Sequence, residues 1–118
     1  MDLSFIFWFP VLLGSLFIVV GKIFCKYPPK KINWIYGYRT SSSMKSQERW
    51  DYAQEISSTA MQWVGIAMYL VGLWVYFMGF NENKAMIIDT AWMLFSFLLL
   101  FLYVERKIAS EFNDNEIH

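Results

Sequence analysis

Few side chains in this 118-residue sequence are suited to covalent or acid–base chemistry, and their spacing keeps them apart. The only histidine is His118, the last residue, so neither a Ser-His nor a Cys-His nucleophile pair is expected within a folded bundle. Cys25 stands alone, which excludes an internal disulfide and a cysteine-rich metal site. No glycine-rich loop ending in lysine is present to cradle a phosphate. Asp89 is a single acid inside an apolar run, and one carboxyl does not make an aspartyl dyad. The expectation is therefore a protein without catalysis, cofactor or metal.

What remains is recognition chemistry. It is concentrated in Asn33, Tyr36, Gly37, Tyr38, Arg39 and Thr40, with Trp50 and Gln54 following and Glu105 far along the chain. A guanidinium in a neutral, aromatic stretch is suited to bidentate pairing with a carboxylate or phosphate and to stacking on tyrosine or tryptophan. Glu105 is the leading protein partner for Arg39, because an acid near a helix C-terminus is disfavoured by the helix dipole unless something compensates it. Glu55 is the second. Arg39 serves equally to pin its loop to the bundle or to meet a ligand, a partner or a lipid headgroup. Tyr36, Tyr38 and Trp50 are expected to wedge the loop into the membrane interface, and Asn33 and Thr40 to cap turns.

The elements that must position these residues follow from composition. Hydrophobic residues make up 57% of the chain and charged ones 17%, against roughly 45–50% and 25% in soluble domains. Three stretches are long and apolar enough to cross a bilayer as helices, over about 3–23, 57–80 and 85–104. Pro10 marks a kink or the effective start of the first. A cleaved signal peptide is the competing reading of that stretch, but it needs a basic start and the chain begins Met1-Asp2. Between the second and third spans Asn81-Glu82-Asn83-Lys84 is a short polar turn, which makes those helices antiparallel neighbours. The loop over 24–56 has Pro28-Pro29 to stop the first helix and Gly37 to permit a turn. Its second part, MKSQERWDYAQEISS, has neither Gly nor Pro and reads as an interfacial helix leading into the second span, with Ser43 or Ser46 as N-cap. The fold class is all-α: a three-helix membrane bundle with an interfacial helix on its cytoplasmic side.

Net charge is zero, but its distribution is lopsided. Lys22, Lys26, Lys30, Lys31, Arg39, Lys45 and Arg49 lie in the first loop and Arg106 and Lys107 follow the third span, leaving only Lys84 of the ten basic residues on the other side. Because cytoplasmic segments carry the excess of Lys and Arg, the N-terminus is expected outside, with the loop and the 105–118 tail in the cytoplasm. Glu48, Asp51 and Glu55 interrupt the basic loop, so nucleic acid is not an expected partner. The aromatic residues form two belts in this arrangement: Trp8, Trp74 and Trp92 outside, and Trp34, Trp50, Trp63 and Tyr103 inside. Asp89 is an intramembrane carboxylate and hence a functional suspect. The helix dipole and the nearby outer surface supply the plainer explanation.

Ser58, Gly65, Gly72 and Gly79 recur every seven residues, and Gly14 and Gly21 share that interval. Such a seam lets backbones approach closely in lipid. Its partner is either another helix of the bundle or a second protomer.

The run Asn33-Trp34-Ile35-Tyr36-Gly37-Tyr38-Arg39-Thr40, then Ser43-Met44-Lys45, Glu48, Trp50 and Ala53, resembles the N-x-x-Y-G-Y-R-T, S-M-K and E-x-W-x-x-A pattern of the SdpI family. That family is named for the immunity protein against a sporulation-delaying toxin. Glu105-Arg106-Lys107-Ile108 through Phe112 is similar to the family's tail, and Gln54 stands where the family often has Asn. The resemblance implies a short, single-module member in a bacterial inner membrane that gives immunity to, or senses, a membrane-active toxin peptide, or docks a cytoplasmic regulator protein through the Y-G-Y-R-T loop. The alternative is a homo-oligomeric carrier or channel for small solutes, built on the glycine seam with Arg39, Asp89 or Glu105 lining a path. A purely structural, membrane-organising protein is the third reading. The topology predicts that a reporter active only in the cytoplasm is silent when fused after Lys84 and active after His118; activity at Lys84 would overturn the orientation.

Overall fold

Each apolar run forms one helix. The computed structural model describes residues 3–33 and 35–112 and has the order α1 (Leu3–Lys26), α2 (Gln47–Met78) and α3 (Glu82–Glu111). All three are long and apolar enough to cross a membrane, and no strand occurs among the described residues. The interfacial helix and the second span are one continuous 32-residue helix. At 1.5 Å per residue it is about 48 Å long, well beyond a hydrocarbon core of about 30 Å. Ser46 caps it, accepting the Arg49 N–H at 3.1 Å. The α3 helix likewise outruns its expected span, so Glu105 sits on a helix that continues to Glu111.

The connection between α2 and α3 is tighter than the sequence pattern indicates. Gly79 ends α2 in the left-handed conformation at φ 74°, and Asn81 caps α3 by accepting the Lys84 N–H. Glu82 to Lys84, expected in the turn, are therefore the first helical residues. Gly79 leaves the seam as a consequence: among the described residues nothing lies within 4 Å of where its Cβ would be.

The other seam residues join α1 to α2 within the chain. A Cβ on Gly65 would stand 2.5 Å from the Gly14 carbonyl oxygen, and one on Gly14 2.7 Å from that of Gly65. Farther along, Gly21 meets the Ser58 carbonyl and Gly72 receives the buried ring of Pro10. Pro10 thus lies inside α1 as a knob for Gly72. Beside the seam the Ser15 and Tyr69 hydroxyls hydrogen-bond at 2.5 Å. Lipid supplies no hydrophobic force between helices, so backbone approach and polar contacts of this kind hold the pair.

Asp89 is 1% exposed, and its Oδ1 has no hydrogen-bond partner among the described residues. Its helix turns it into the bundle. Trp50 is fully buried and does not belong to an aromatic belt, while Trp34 lies outside the described residues. A Gly65→Leu substitution is expected to cost about 1–3 kcal/mol through overpacking, read as a lower unfolding temperature in detergent. An unchanged midpoint would mean that the seam is not a contact.

Candidate functional site

The loop between α1 and α2 folds onto the ends of α2 and α3 at a single end of the bundle. Its entry is set by Pro29, whose carbonyl accepts the Trp50 indole N–H at 2.6 Å. One residue on, the Lys30 carbonyl accepts from the Gln47 side chain at 2.6 Å. Asn33 then closes a turn: its Oδ1 accepts the Ile35 and Tyr36 N–H groups, and its amide donates to the Lys31 carbonyl. The Tyr36 ring lies 6.2 Å from that of Phe24 at the end of α1.

Gly37 is required twice over. Its φ of 102° favours glycine, and an added Cβ would stand 2.9 Å from both Gln54 Oε1 and Pro29 Cγ. That closeness lets the buried Gln54 side chain reach the next residue, where its Oε1 accepts the Tyr38 N–H at 2.8 Å and its amide donates to the Tyr38 carbonyl at 2.9 Å. One carboxamide from α2 thus satisfies both backbone groups of Tyr38. Next, Thr40 and Ser43 form a reciprocal turn: each backbone N–H donates to the other's hydroxyl oxygen. Ser43 is fully buried.

From this scaffold three hydroxyls converge on Glu105. Tyr38 and Thr40 donate to its Oε2 at 2.7 and 2.8 Å, and Ser42 donates to Oε1 at 2.6 Å. Such charge-assisted bonds are the stronger class. Burial, followed by the hydrogen bond and charge of Glu105, holds the Tyr38 phenol well above the ordinary tyrosine range. It therefore stays a donor at any physiological pH. The positive charge acting on Glu105 is that of Arg49. This guanidinium is 6% exposed, lies 5.3 Å from the Phe112 ring centroid and donates to the Ser42 carbonyl at 3.4 Å. Beneath it Ala53 packs on Val104 and Ile108.

Eight of the nine sequence-derived site residues are thus placed at this end of the bundle: Tyr38, Thr40, Gln54 and Glu105 form the latch, Gly37 and Trp50 adjoin it, and Asn33 and Tyr36 lie in the turn that leads to it. Arg39 is exposed on the same loop, and three hydroxyls reach the Glu105 carboxylate. Arg49, Ser42 and Ser43 were missed. Arg49 carried a usable signal, since it precedes Ala53 by four residues and so shares the helix face that packs on α3. Ser42 and Ser43 sit in a Ser-Ser-Ser run whose members look alike until the turn is built.

This architecture defines a small three-helix membrane protein that holds an ordered polar loop at one end. The chain belongs to the SdpI/YfhL protein family, whose sequence model matches residues 30–105 and thus spans the loop, α2 and most of α3. The uncharacterized protein YfhL of Bacillus subtilis (strain 168) is 40% identical over 60 residues, which cover 51% of this chain and 54% of that protein. The chain therefore spans about half the length of the curated relative it matches. No solved structure matches it.

Glu105→Gln removes the charge from the latch. A hydrogen bond to a charged group contributes about 1.5–3 kcal/mol, so local opening of the loop should become roughly ten- to a hundredfold more frequent. Amide hydrogen exchange at Tyr38, Thr40 and Ser43 reads this directly. Unaltered exchange there would mean that Glu105 does not hold the loop.

Proposed function

We propose that this protein is a membrane-embedded binding protein that gives immunity to, or senses, a membrane-active toxin peptide, with the Y-G-Y-R-T loop as its recognition surface in the cytoplasm and no catalytic step of its own. The observation that carries this reading is the latch: Gln54 and Glu105 grip Tyr38, Thr40 and Ser42 from two different helices. A loop ordered before its partner arrives loses less conformational freedom on binding. Arg39 is exposed on that ordered backbone, where a guanidinium suits a carboxylate or a backbone carbonyl of a peptide.

Docking of a cytoplasmic regulator protein is a second reading that uses the same surface, and the exposure of Arg39 favours it equally. The carrier or channel reading loses the feature on which it leaned, since Gly14, Gly21, Gly65 and Gly72 are occupied by contacts within the chain. Survival under a panel of membrane-permeabilising peptides tests the leading reading in cells with the wild-type protein, the Arg39→Ala protein or none, at equal expression. Protection by the wild type and its loss in Arg39→Ala are expected. Equal killing in all three would sink immunity for that panel.

A further inference from the structure

We propose that the hollow formed by the end of α1 and the first part of the loop binds the phosphodiester headgroup of an anionic phospholipid, fixing one lipid at the rim of the bundle. The hollow has a volume of about 840 Å³ and is lined by Lys26, Lys30 and Lys31, with Tyr27, Asn33 and Tyr36 among its walls. Three lysines around one concavity match a phosphate, and no carboxylate is among its described lining residues. Asp51 and Glu55 line an adjoining hollow, which shares Pro28 and Lys30 with this one, so Lys30 stands between the two.

Two further observations distinguish this place from an ordinary scatter of surface lysines. The backbone that carries the lysines is fixed: the carbonyls of Pro29, Lys30 and Lys31 accept from Trp50, Gln47 and Asn33 in turn. The ammonium stems thus start from set positions, which lowers the entropy lost on binding. Around the hollow the apolar side chains are turned outward, with Ile35 83%, Tyr27 67% and Tyr36 49% exposed. A soluble anion offers these groups nothing. A phospholipid does, because its phosphate lies level with the lysines while its glycerol and upper acyl carbons lie beside the tyrosines and Ile35, as at a membrane interface. Lys26 is placed for both roles, with its Nζ 5.6 Å from the centre of the Tyr27 ring and the hollow on its flank. The site stands apart from the latch around Glu105 and does not depend on the toxin reading.

The test uses the full chain in a neutral detergent, with lipid retention read by native mass spectrometry and stability by the unfolding midpoint. Phosphatidylglycerol, phosphatidylcholine and inorganic phosphate are added in separate arms. Retention of phosphatidylglycerol and a rise of the midpoint are expected, with phosphatidylcholine and inorganic phosphate giving neither. A lysine near an anionic surface contributes roughly fivefold in affinity, so the triple variant Lys26→Gln, Lys30→Gln, Lys31→Gln should bind phosphatidylglycerol about 100-fold more weakly. Lys84→Gln, at the opposite end of the bundle, should bind it as the wild type does. Equal effects of the two lipids would overturn the proposal, as would a full shift with inorganic phosphate or undiminished binding by the triple variant. Should that variant fail to fold, the wild type still decides, because its phosphatidylglycerol binding must fall at high ionic strength.

Discussion

The interaction on which this end of the structure depends is the carboxylate of Glu105 against three hydroxyls. Partial burial opposes the charge of a carboxylate, and Glu105 is held against the loop about two turns before the end of α3. Tyr38, Thr40 and Ser42 relieve that conflict, and the Arg49 charge adds to the relief. In return, α3 gives the loop a fixed point that no neighbouring residue in the loop could supply. Remove the carboxylate and three hydroxyls lose their common acceptor, while Arg49 stays buried without the charge it faces. The partial burial of that charge and the order of the loop are therefore one problem with one solution.

The latch works because the helices beneath it are held by contacts suited to lipid. The glycines of α1 and α2 bring the backbones together along much of their length, with Pro10 filling the space at Gly72. Near the loop the pairing becomes polar: Cys25 Sγ lies 3.1 Å from the Ser58 hydroxyl, and the Gln62 amide donates to that sulfur. The third helix adds small apolar contacts, Val75 on Ala85 at one end and Ala53 on Val104 and Ile108 at the other. Between these ends α3 turns Asp89 and Ser96 inward. Ser96 satisfies its hydroxyl on the Trp92 carbonyl of its own helix, whereas Asp89 Oδ1 finds no such partner among the described residues.

Much of this was legible from residue order alone. Unbroken apolar runs announced the three helices, and the absence of Gly and Pro after Met44 announced that the interfacial segment would run into α2. The spacing of Gly14, Gly21, Gly65 and Gly72 marked a contact but not its partner, since a heptad of small residues reads the same whether the facing helix is internal or foreign. Gly79 fell in the same register for another reason, the left-handed end of α2, and periodicity does not separate the two. Arg39 drew attention because a cation among aromatics stands out, but the cation turned inward is Arg49, which reads as an ordinary polar residue in a helical turn. Pairings such as Gln54 with the Tyr38 backbone span 16 residues and depend on the approach that Gly37 permits; nothing in local pattern specifies them.

The length of α2 has a mechanical consequence. Gln54 and Trp50 hold the loop from the first turns of a helix that runs without interruption through the seam glycines to Met78. It contains no proline, and its interior glycines are packed against α1. Span and loop therefore behave as a single lever: a change of tilt at membrane depth, whatever its origin, is delivered to the loop as a displacement, with no joint along the way to absorb it.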